Sequence, residues 1–423
     1  MPPLRLIEHR SGLPFQPSLA TLLIAATLMP VLCAGCSGPE LRPSREEADS
    51  STSEAARQAE REGKLVQAVK EAESLGEGDQ NFKQRLHMLA RFYTQEGKYS
   101  EAETSYKRLI AILQRNPAGK DEQLPVALYD LGEILRLQAR LGEAEPVLKR
   151  ALDNTERLAG KDSPAAAMCR ANLARLYSQE KRYADAEQML REVVRIVEKS
   201  QGPEGRLRIE YLTTLSQVCD EQGKSAEAEA LLKSALATAE KTLGPLDVDL
   251  ARCLICLGEH YRKLGKLNEA EPIFERALQV LDRSEEPRNS QIASTLDRLA
   301  KIDLARGDWH RAEVVLGDAL EKARSGGSED SLVIFDIMLD LSTAYARAGK
   351  YADARSCLEQ ALRTGERVLG DKSAELATAL EQYSQLLRKM NCPAEATKIE
   401  KRLQSMRREK PGLPASHLFT RIN

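Results

Sequence analysis

The chain has 423 residues, and its 62 Lys and Arg nearly balance its 64 Asp and Glu, so the formal net charge is only -2. This balance excludes a basic nucleic-acid-binding arm and an acidic polymer-like tail. Aromatic residues make up only 4% of the chain, and Ala, Leu, Glu, Lys and Arg dominate it. Because aromatic and β-branched residues are too scarce for a large sheet, we expect an all-α protein.

An uncharged apolar run, residues 19–32, follows Arg5 and Arg10 and precedes Cys33-Ala34-Gly35-Cys36. The run is too short to span a bilayer as a permanent helix, and its layout is typical of a secretory signal. Ala34-Gly35-Cys36 resembles the cleavage box of bacterial lipoproteins, in which the cysteine is acylated. The resemblance implies a signal peptide over residues 1–35 and a lipid on Cys36. Plain cleavage near Gly35, releasing a soluble protein, is the alternative.

Residues 36–53 are polar and lack apolar anchors, which predicts a disordered tether behind the lipidated cysteine. From there the sequence repeats with a period of 42 residues. The repeat is carried by eight alanines: Ala102, Ala144, Ala186, Ala228, Ala270, Ala312, Ala354 and Ala396. A small residue stands twelve positions before each alanine, with a large apolar residue before it. This pattern predicts that each unit forms two antiparallel helices in close contact, joined by a tight turn.

Glycines recur in the predicted turns, at Gly97, Gly223, Gly265, Gly307 and Gly349, as expected for a left-handed residue that ends a helix. Asn391 takes this place in the last unit. Ala139 and Lys181 break the pattern. A shorter unit, in which Gly63 and Ala68 precede Gly97 and Ala102 by 34 residues, predicts an N-terminal capping hairpin and thus nine hairpins in total.

The motif Leu86-x2-Leu89-Ala90-x2-Tyr93, followed by Ala102-x3-Tyr106, resembles the tetratricopeptide repeat. The 42-residue period is similar to that of kinesin light chains. This resemblance implies a right-handed α-α superhelix over residues 54–409, followed by a C-terminal tail over residues 410–423. In this family the first helices line a concave groove that binds extended peptides or partner helices. Kinesin-light-chain units often carry an Asn before the first-helix Leu, and here only Asn172 does so.

Carrying the groove-facing positions through the units gives a set of candidate binding residues. They are His87, Arg91, Tyr129, Glu133, Arg136, Met168, Arg175, Gln179, Arg252, Glu259, Arg262 and Lys301. Arg91, Arg136 and Arg175 come from successive first helices and predict a ladder of guanidinium groups that binds an acidic extended segment or a free C-terminus.

The sequence gives little indication of an enzyme, a metal site or a cofactor site. The five histidines are scattered without metal-ligand spacing, which argues against zinc, and no catalytic constellation or nucleotide loop is present. Six cysteines fall inside the predicted helices, where cysteine packs as a small hydrophobe. Cys253 and Cys256 have redox spacing without the strand-to-helix context of a redox motif. We therefore predict a non-enzymatic protein without cofactors, with redox or metal chemistry at this cysteine pair left as the alternative.

These features together predict a lipid-anchored, periplasm-facing adaptor of a bacterial envelope that binds other proteins or extended peptides. A Ser rather than an Asp after Cys36 favours the outer membrane over the inner one, by resemblance to lipoprotein sorting. The alternative is a structural or self-associating envelope scaffold with no dedicated peptide ligand.

Overall fold

The computed structural model describes residues 45–74, 76–115, 121–202, 204–284, 288–326, 331–371 and 373–409, with side chains from Arg57 onward. Within these ranges it contains 17 α-helices and no strand, which confirms the all-α prediction. The predicted signal peptide, Cys36 and the C-terminal tail lie outside the described residues. No helix among the described residues combines the length and apolarity needed to cross a membrane.

The helices follow one another with short connections. In chain order they are α1 (Arg45–Glu73), α2 (Gln80–Gln95), α3 (Tyr99–Gln114), α4 (Gln123–Leu137), α5 (Leu141–Ala159), α6 (Pro164–Gln179), α7 (Tyr183–Gln201), α8 (Arg206–Glu221), α9 (Ser225–Thr242), α10 (Val248–Lys263), α11 (Leu267–Asp282), α12 (Asn289–Arg306), α13 (Trp309–Ser325), α14 (Leu332–Arg347), α15 (Tyr351–Leu369), α16 (Ala374–Lys389) and α17 (Pro393–Glu409). From α2 onward they pair as eight hairpins of a first helix, such as α2, and a second helix, such as α3.

The N-terminal region differs from the prediction. Helix α1 begins at Arg45, so residues 45–53 are helical rather than part of the predicted tether. It also runs without interruption through Gly63, where the sequence predicted the turn of a capping hairpin. The described residues thus contain eight hairpins and one additional long helix. That helix is tied to the first hairpin by ion pairs from Glu62 to Lys98 and from Glu73 to Arg108.

Each hairpin turn contains one residue with a positive φ, and these residues recur every 42 positions. They are Gly97, Ala139, Lys181, Gly223, Gly265, Gly307, Gly349 and Asn391. Ala139 and Lys181 therefore adopt the same left-handed conformation as the glycines, although the sequence marked them as exceptions. The turn hydrogen bonds are the same as well: the Arg140 amide donates to the Leu135 carbonyl, as the Lys98 amide donates to the Tyr93 carbonyl.

The described hairpins divide into two compact units. Unit 1 spans Ser53–Ser200, and unit 2 spans Gln201–Asn423, of which residues up to 409 are described. Inside each unit the hairpins stack in chain order, because every second helix packs against the first helix of the next hairpin. Neighbouring first helices also contact one another, as α4 and α6 do in unit 1 and α12 and α14 do in unit 2. Within each unit the first helices therefore lie next to one another on one side of the stack.

The repeat alanines mark the closest approach inside the hairpins. All eight are fully buried. Across the hairpin from Ala270 stands Gly258, where an added Cβ would lie 2.8 Å from Cε1 of Phe274. Gly132 packs in the same way against Leu148 in unit 1. The small-residue positions thus confirm the predicted pairing of each first helix with its second helix.

Several first helices begin at a side-chain cap. The carboxylates of Asp79 and Asp247 and the hydroxyls of Ser163, Ser331 and Ser373 accept hydrogen bonds from amides in the first turn of the helix that follows. These caps satisfy amides that the helix itself leaves without partners. They also mark where these five first helices start.

Candidate binding face

One position of the first helices is at least partly exposed in every hairpin but differs in residue type. Counted every 42 residues, it is occupied by Arg91, Glu133, Arg175, Gln217, Glu259, Lys301, Thr343 and Gln385, all exposed or half-buried. The chemistry of this position changes from unit to unit, whereas the buried alanine position does not change at all. We call the outward surface of the first helices around this position the first-helix face.

In unit 1 the face begins with a hydrogen-bonded group. His87 Nε2 lies 2.9 Å from Oδ2 of Asp130, and the Tyr106 hydroxyl donates to the same oxygen over 3.1 Å. The rings of His87 and Tyr106 meet edge to face at 5.8 Å. His87 is therefore a half-buried link between α2 and α4. Arg91, one turn further along α2, is half-buried and has no hydrogen-bond or ion-pair partner among the described residues.

Two predicted groove residues of unit 1 lie mostly inside the stack. Tyr129 is only 7% exposed, and burial, together with the nearby Glu133 carboxylate, raises the pKa of its phenol. Met168 is 9% exposed and packs with Val126 and Ala165 between α4 and α6. Both residues lie where neighbouring first helices are in contact. Their side chains therefore contribute mainly to packing between these helices and little to the exposed surface of the first-helix face.

Arg136 is not available as the middle rung of the predicted arginine ladder. Its guanidinium makes two hydrogen bonds to the Glu133 carboxylate, of 2.5 and 3.0 Å. Although burial opposes it, this pairing raises the pKa of Arg136. The three guanidinium groups of the predicted ladder therefore do not have equivalent surroundings. Arg175 and Gln179 on α6 are exposed at the surface.

The same pairing recurs in unit 2, on α10. Arg262 donates two hydrogen bonds to Glu259, of 2.7 and 2.9 Å, and these bonds to the carboxylate raise the pKa of the guanidinium. Arg252, earlier on α10, is exposed and lies 2.8 Å from Asp249 on its own helix. Three of the four candidates in unit 2 thus make ion pairs within a single helix, and these pairs leave little net charge.

The fourth candidate, Lys301 on α12, bridges two helices. Its Nζ lies 2.5 Å from Oδ2 of Asp297 and 3.2 Å from Oδ2 of Asp340 on α14. Burial raises the pKa of Asp340 to about 7, and the neighbouring Asp297 carboxylate adds to the shift. Although Asp336, one turn earlier on α14, is exposed to solvent, partial desolvation by the protein around its carboxyl group also raises its pKa. The structure therefore brings together three aspartates that sequence reasoning missed.

Known families identify this repeat. A model described as the MalT-like TPR region matches residues 75–368, and a tetratricopeptide repeat model matches residues 334–409. The chain belongs to the MalT-like tetratricopeptide repeat (TPR) family. This confirms the family that the sequence motif indicated. Among curated proteins none matches the chain significantly.

Solved structures agree with the TPR assignment. A Rap protein complexed with Competence and Sporulation Factor has a TM-score of 0.51 and 17% identity, and the match covers 84% of this chain and 98% of Rap. BtubC (BKLC) from P. vanneervenii has a TM-score of 0.47 and 20% identity, over 53% of this chain and 90% of BtubC. Repeats assigned to a kinesin light chain of Podosopora anserina have a TM-score of 0.42 and 21% identity, over 48% and 97%. At 17% identity the similarity to the Rap protein shows the fold alone.

Asn172, the one residue at the asparagine position of kinesin-light-chain TPR units, is fully buried. Neither its amide nitrogen nor its amide oxygen has a hydrogen-bond partner among the described residues. Because the amide lies beneath the surface, this conformation does not offer it to the backbone of a bound peptide. The role that the family resemblance implied for Asn172 therefore does not fit this conformation.

The cysteines of the TPR units are placed as packing residues. None of the six described cysteines forms a disulfide bond. Burial raises the pKa of Cys253 to about 12, and that of Cys169 and Cys357 to about 11. It also raises the pKa of Cys256. A thiol with a raised pKa stays protonated at neutral pH and is a poor nucleophile, which favours the structural interpretation of the Cys253 and Cys256 pair.

The missed aspartates did leave a signal in the TPR register. Asp297 stands five periods after His87, and Asp340 six periods after Met88. Extending each outward-facing position through to α14 would have placed both on the first-helix face. What the sequence does not contain is the contact between α12 and α14 that turns these separate positions into one cluster.

Proposed function

We propose that this protein is an adaptor that binds partner proteins or extended peptide segments on its first-helix face. The observation that carries the proposal is the contrast between two repeat positions. The alanine position is identical and buried in all eight hairpins, whereas the Arg91 position is exposed or half-buried and changes its chemistry in every neighbouring pair of hairpins. A scaffold repeated only for support needs no such variation, whereas a surface that distinguishes partners does.

The TPR fold supports protein binding as the general role. A stack of hairpins presents a long surface made of successive helices, which suits an extended ligand. The similar Rap protein was solved in a complex with Competence and Sporulation Factor. The exposed and half-buried polar side chains of the face suit ligand binding through hydrogen bonds, and the raised thiol pKa values argue against cysteine catalysis.

We expect charge reversal at Arg91 to weaken partner capture. Arg91→Glu replaces a half-buried cation on the first-helix face, and the matched control Arg150→Glu makes the same change on an exposed second-helix position of unit 1. Purified protein carrying each change is incubated with membrane extract, and captured proteins are quantified by mass spectrometry. The Arg91→Glu variant should capture about three- to tenfold less of its specific partner than the original chain does, as expected for one reversed charge at an interface.

Two outcomes would contradict the adaptor. Equal losses in Arg91→Glu and Arg150→Glu would show that the first-helix face is not the binding surface. Recovery of the chain itself as the main captured protein, with dimers or larger species in light scattering, would favour the self-associating scaffold. Circular dichroism of both variants verifies that the helices remain intact.

The proposal includes an anchor at Cys36, which would hold the adaptor at the periplasmic side of a bacterial outer membrane. Its support is the apolar run over residues 19–32 that ends in Ala34-Gly35-Cys36. We expect the mature protein to begin at Cys36 and to carry acyl chains, because one lipid group with a second acyl signal gives stable membrane attachment. Intact-mass and N-terminal peptide analysis measures this directly, with Cys36→Ser as the control that abolishes acylation. An unmodified Cys36 or a retained Met1 would contradict the anchor.

A further inference from the structure

Two carboxylates of unit 2 contact one ammonium group on the first-helix face, and a third lies one helical turn away. Lys301 Nζ contacts Asp297 and Asp340, at 2.5 and 3.2 Å. Asp336 lies one turn before Asp340 on α14, is exposed, and has no hydrogen-bond or ion-pair partner within the described residues. One lysine neutralises only one of the three carboxylates. The cluster is therefore short of positive charge on its solvent-facing side.

Asp297 provides a second sign that a donor is missing. Only 6% of this residue is exposed, and its Oδ1 is buried without a hydrogen-bond donor among the described residues. Its other oxygen accepts from Lys301, which is shared with Asp340. A buried acceptor without a donor is costly.

The surrounding charges do not supply that cation. The titratable and charged groups that act on Asp336 and Asp340, or on their charged neighbours, are Glu259 and Arg262 on α10, Asp297, Arg298 and Lys301 on α12, and Glu375 on α16. Arg262 is engaged by Glu259, and Arg298 donates to the Ser294 carbonyl over 2.7 Å. When all are ionised, these groups together with Asp336, Asp340 and Lys263, which acts on Glu259, comprise five carboxylates and four cations, so the group keeps a net negative charge.

We propose that Asp336 and Asp340 bind a basic side chain, of arginine or lysine, that an extended partner segment presents to the first-helix face of unit 2. The proposal rests on the function proposed above and assigns one chemical feature of the ligand. Residues four apart on a helix point to the same side, with about 5 to 6 Å between their Cβ atoms. The planar fork of a guanidinium can donate to both carboxylates across this distance, and an ammonium group can do so less symmetrically.

Proton release accompanies this binding. Because burial and Asp297 raise the pKa of Asp340 to about 7, a part of the molecules carries a proton on that carboxyl group at neutral pH. A bound cation favours the ionised carboxylate and displaces the proton. Affinity for a basic ligand should therefore rise as the pH increases from 6 to 8, while the charge of an arginine ligand stays constant.

A designed peptide tests the site without knowledge of the natural partner. The probe is a fluorescent, acetylated and amidated nonapeptide of Gly and Ser with arginines at positions 2, 5 and 8. In an extended chain these lie about 10 Å apart, close to the spacing of packed helices. Its counterpart carries citrulline, which has the same shape without the charge. By fluorescence anisotropy, the full chain should bind the arginine peptide about five- to tenfold more tightly than the citrulline peptide.

The variant Asp336→Asn with Asp340→Asn should remove most of this preference and its increase with pH. The matched control, Asp318→Asn with Glu321→Gln, removes two exposed charges from the second helix α13 and should keep both. Equal binding of the two peptides, or an equal loss in the control, would overturn the proposed site. Partner capture that still depends on Arg91 would then leave the adaptor function standing. Conversely, a preserved arginine preference without any captured partner would contradict only the adaptor.

Discussion

Truncation of Phe274 to alanine should lower the free energy of unfolding by about 3 to 5 kcal/mol. The side chain is fully buried in α11, and its ring fills the space above Gly258 on α10. Since Gly258 has no side chain to move into the gap, the cavity cannot close by a small rearrangement. Urea denaturation followed by circular dichroism measures the loss.

The control for this prediction is Val314→Ala on α13, where the valine is 54% exposed. It should change stability by well under about 1 kcal/mol, because little apolar surface is lost from the interior. If both variants unfold at the same denaturant concentration as the original chain, Phe274 does not fill the interior of its hairpin and the pairing of α10 with α11 is wrong.

Overpacking the same hairpin should also be destabilising. Ala270→Leu adds three carbons at a fully buried position of closest helix approach, and we expect a loss of about 1 to 3 kcal/mol. Ala352→Leu adds the same atoms at an exposed position of α15 and should be nearly neutral. Thermal melts of both variants give the comparison. A melting curve for Ala270→Leu that matches the control would mean that the alanine position has room for a larger residue.

The hairpins were predictable because their packing is local and repeats. The alanine at position 270 and its seven equivalents are buried as the period required, since a close helix contact admits only a small side chain. The turns were predictable even where the residue type was not. Ala139 and Lys181 show that the hydrogen bonds of the turn impose the left-handed conformation, at a cost of about 1 to 2 kcal/mol for a non-glycine residue.

The N-terminal hairpin was not predictable from its spacing. Gly63 stands where a turn was expected, but the residues on both sides have good helix propensity, and a glycine inside a helix costs only about 1 kcal/mol. A single glycine thus decides little when no capping residue or proline accompanies it. The continuous helix α1 is the result.

The candidate site was only partly predictable for a related reason. The repeat position of Lys301 predicted a groove-facing residue, and in the structure this lysine is a half-buried residue of a first helix. Its contact with Asp340 depends on how α12 packs against α14, and this packing cannot be read from the sequence of either helix alone. Glu133 and Arg136 are three residues apart on one helix, a spacing that favours an ion pair. This pairing could therefore have been predicted from the sequence.

Site-specific photo-crosslinking tests the central claim that partners bind the first helices. A photoreactive amino acid is introduced at Gln179 or Gln217 on exposed first-helix positions, and at Arg150 or Asp318 on exposed second-helix positions. After capture from membrane extract and irradiation, we expect the first two positions to crosslink the partner and the other two not to do so. Crosslinks from Arg150 and Asp318, with none from Gln179 or Gln217, would contradict it.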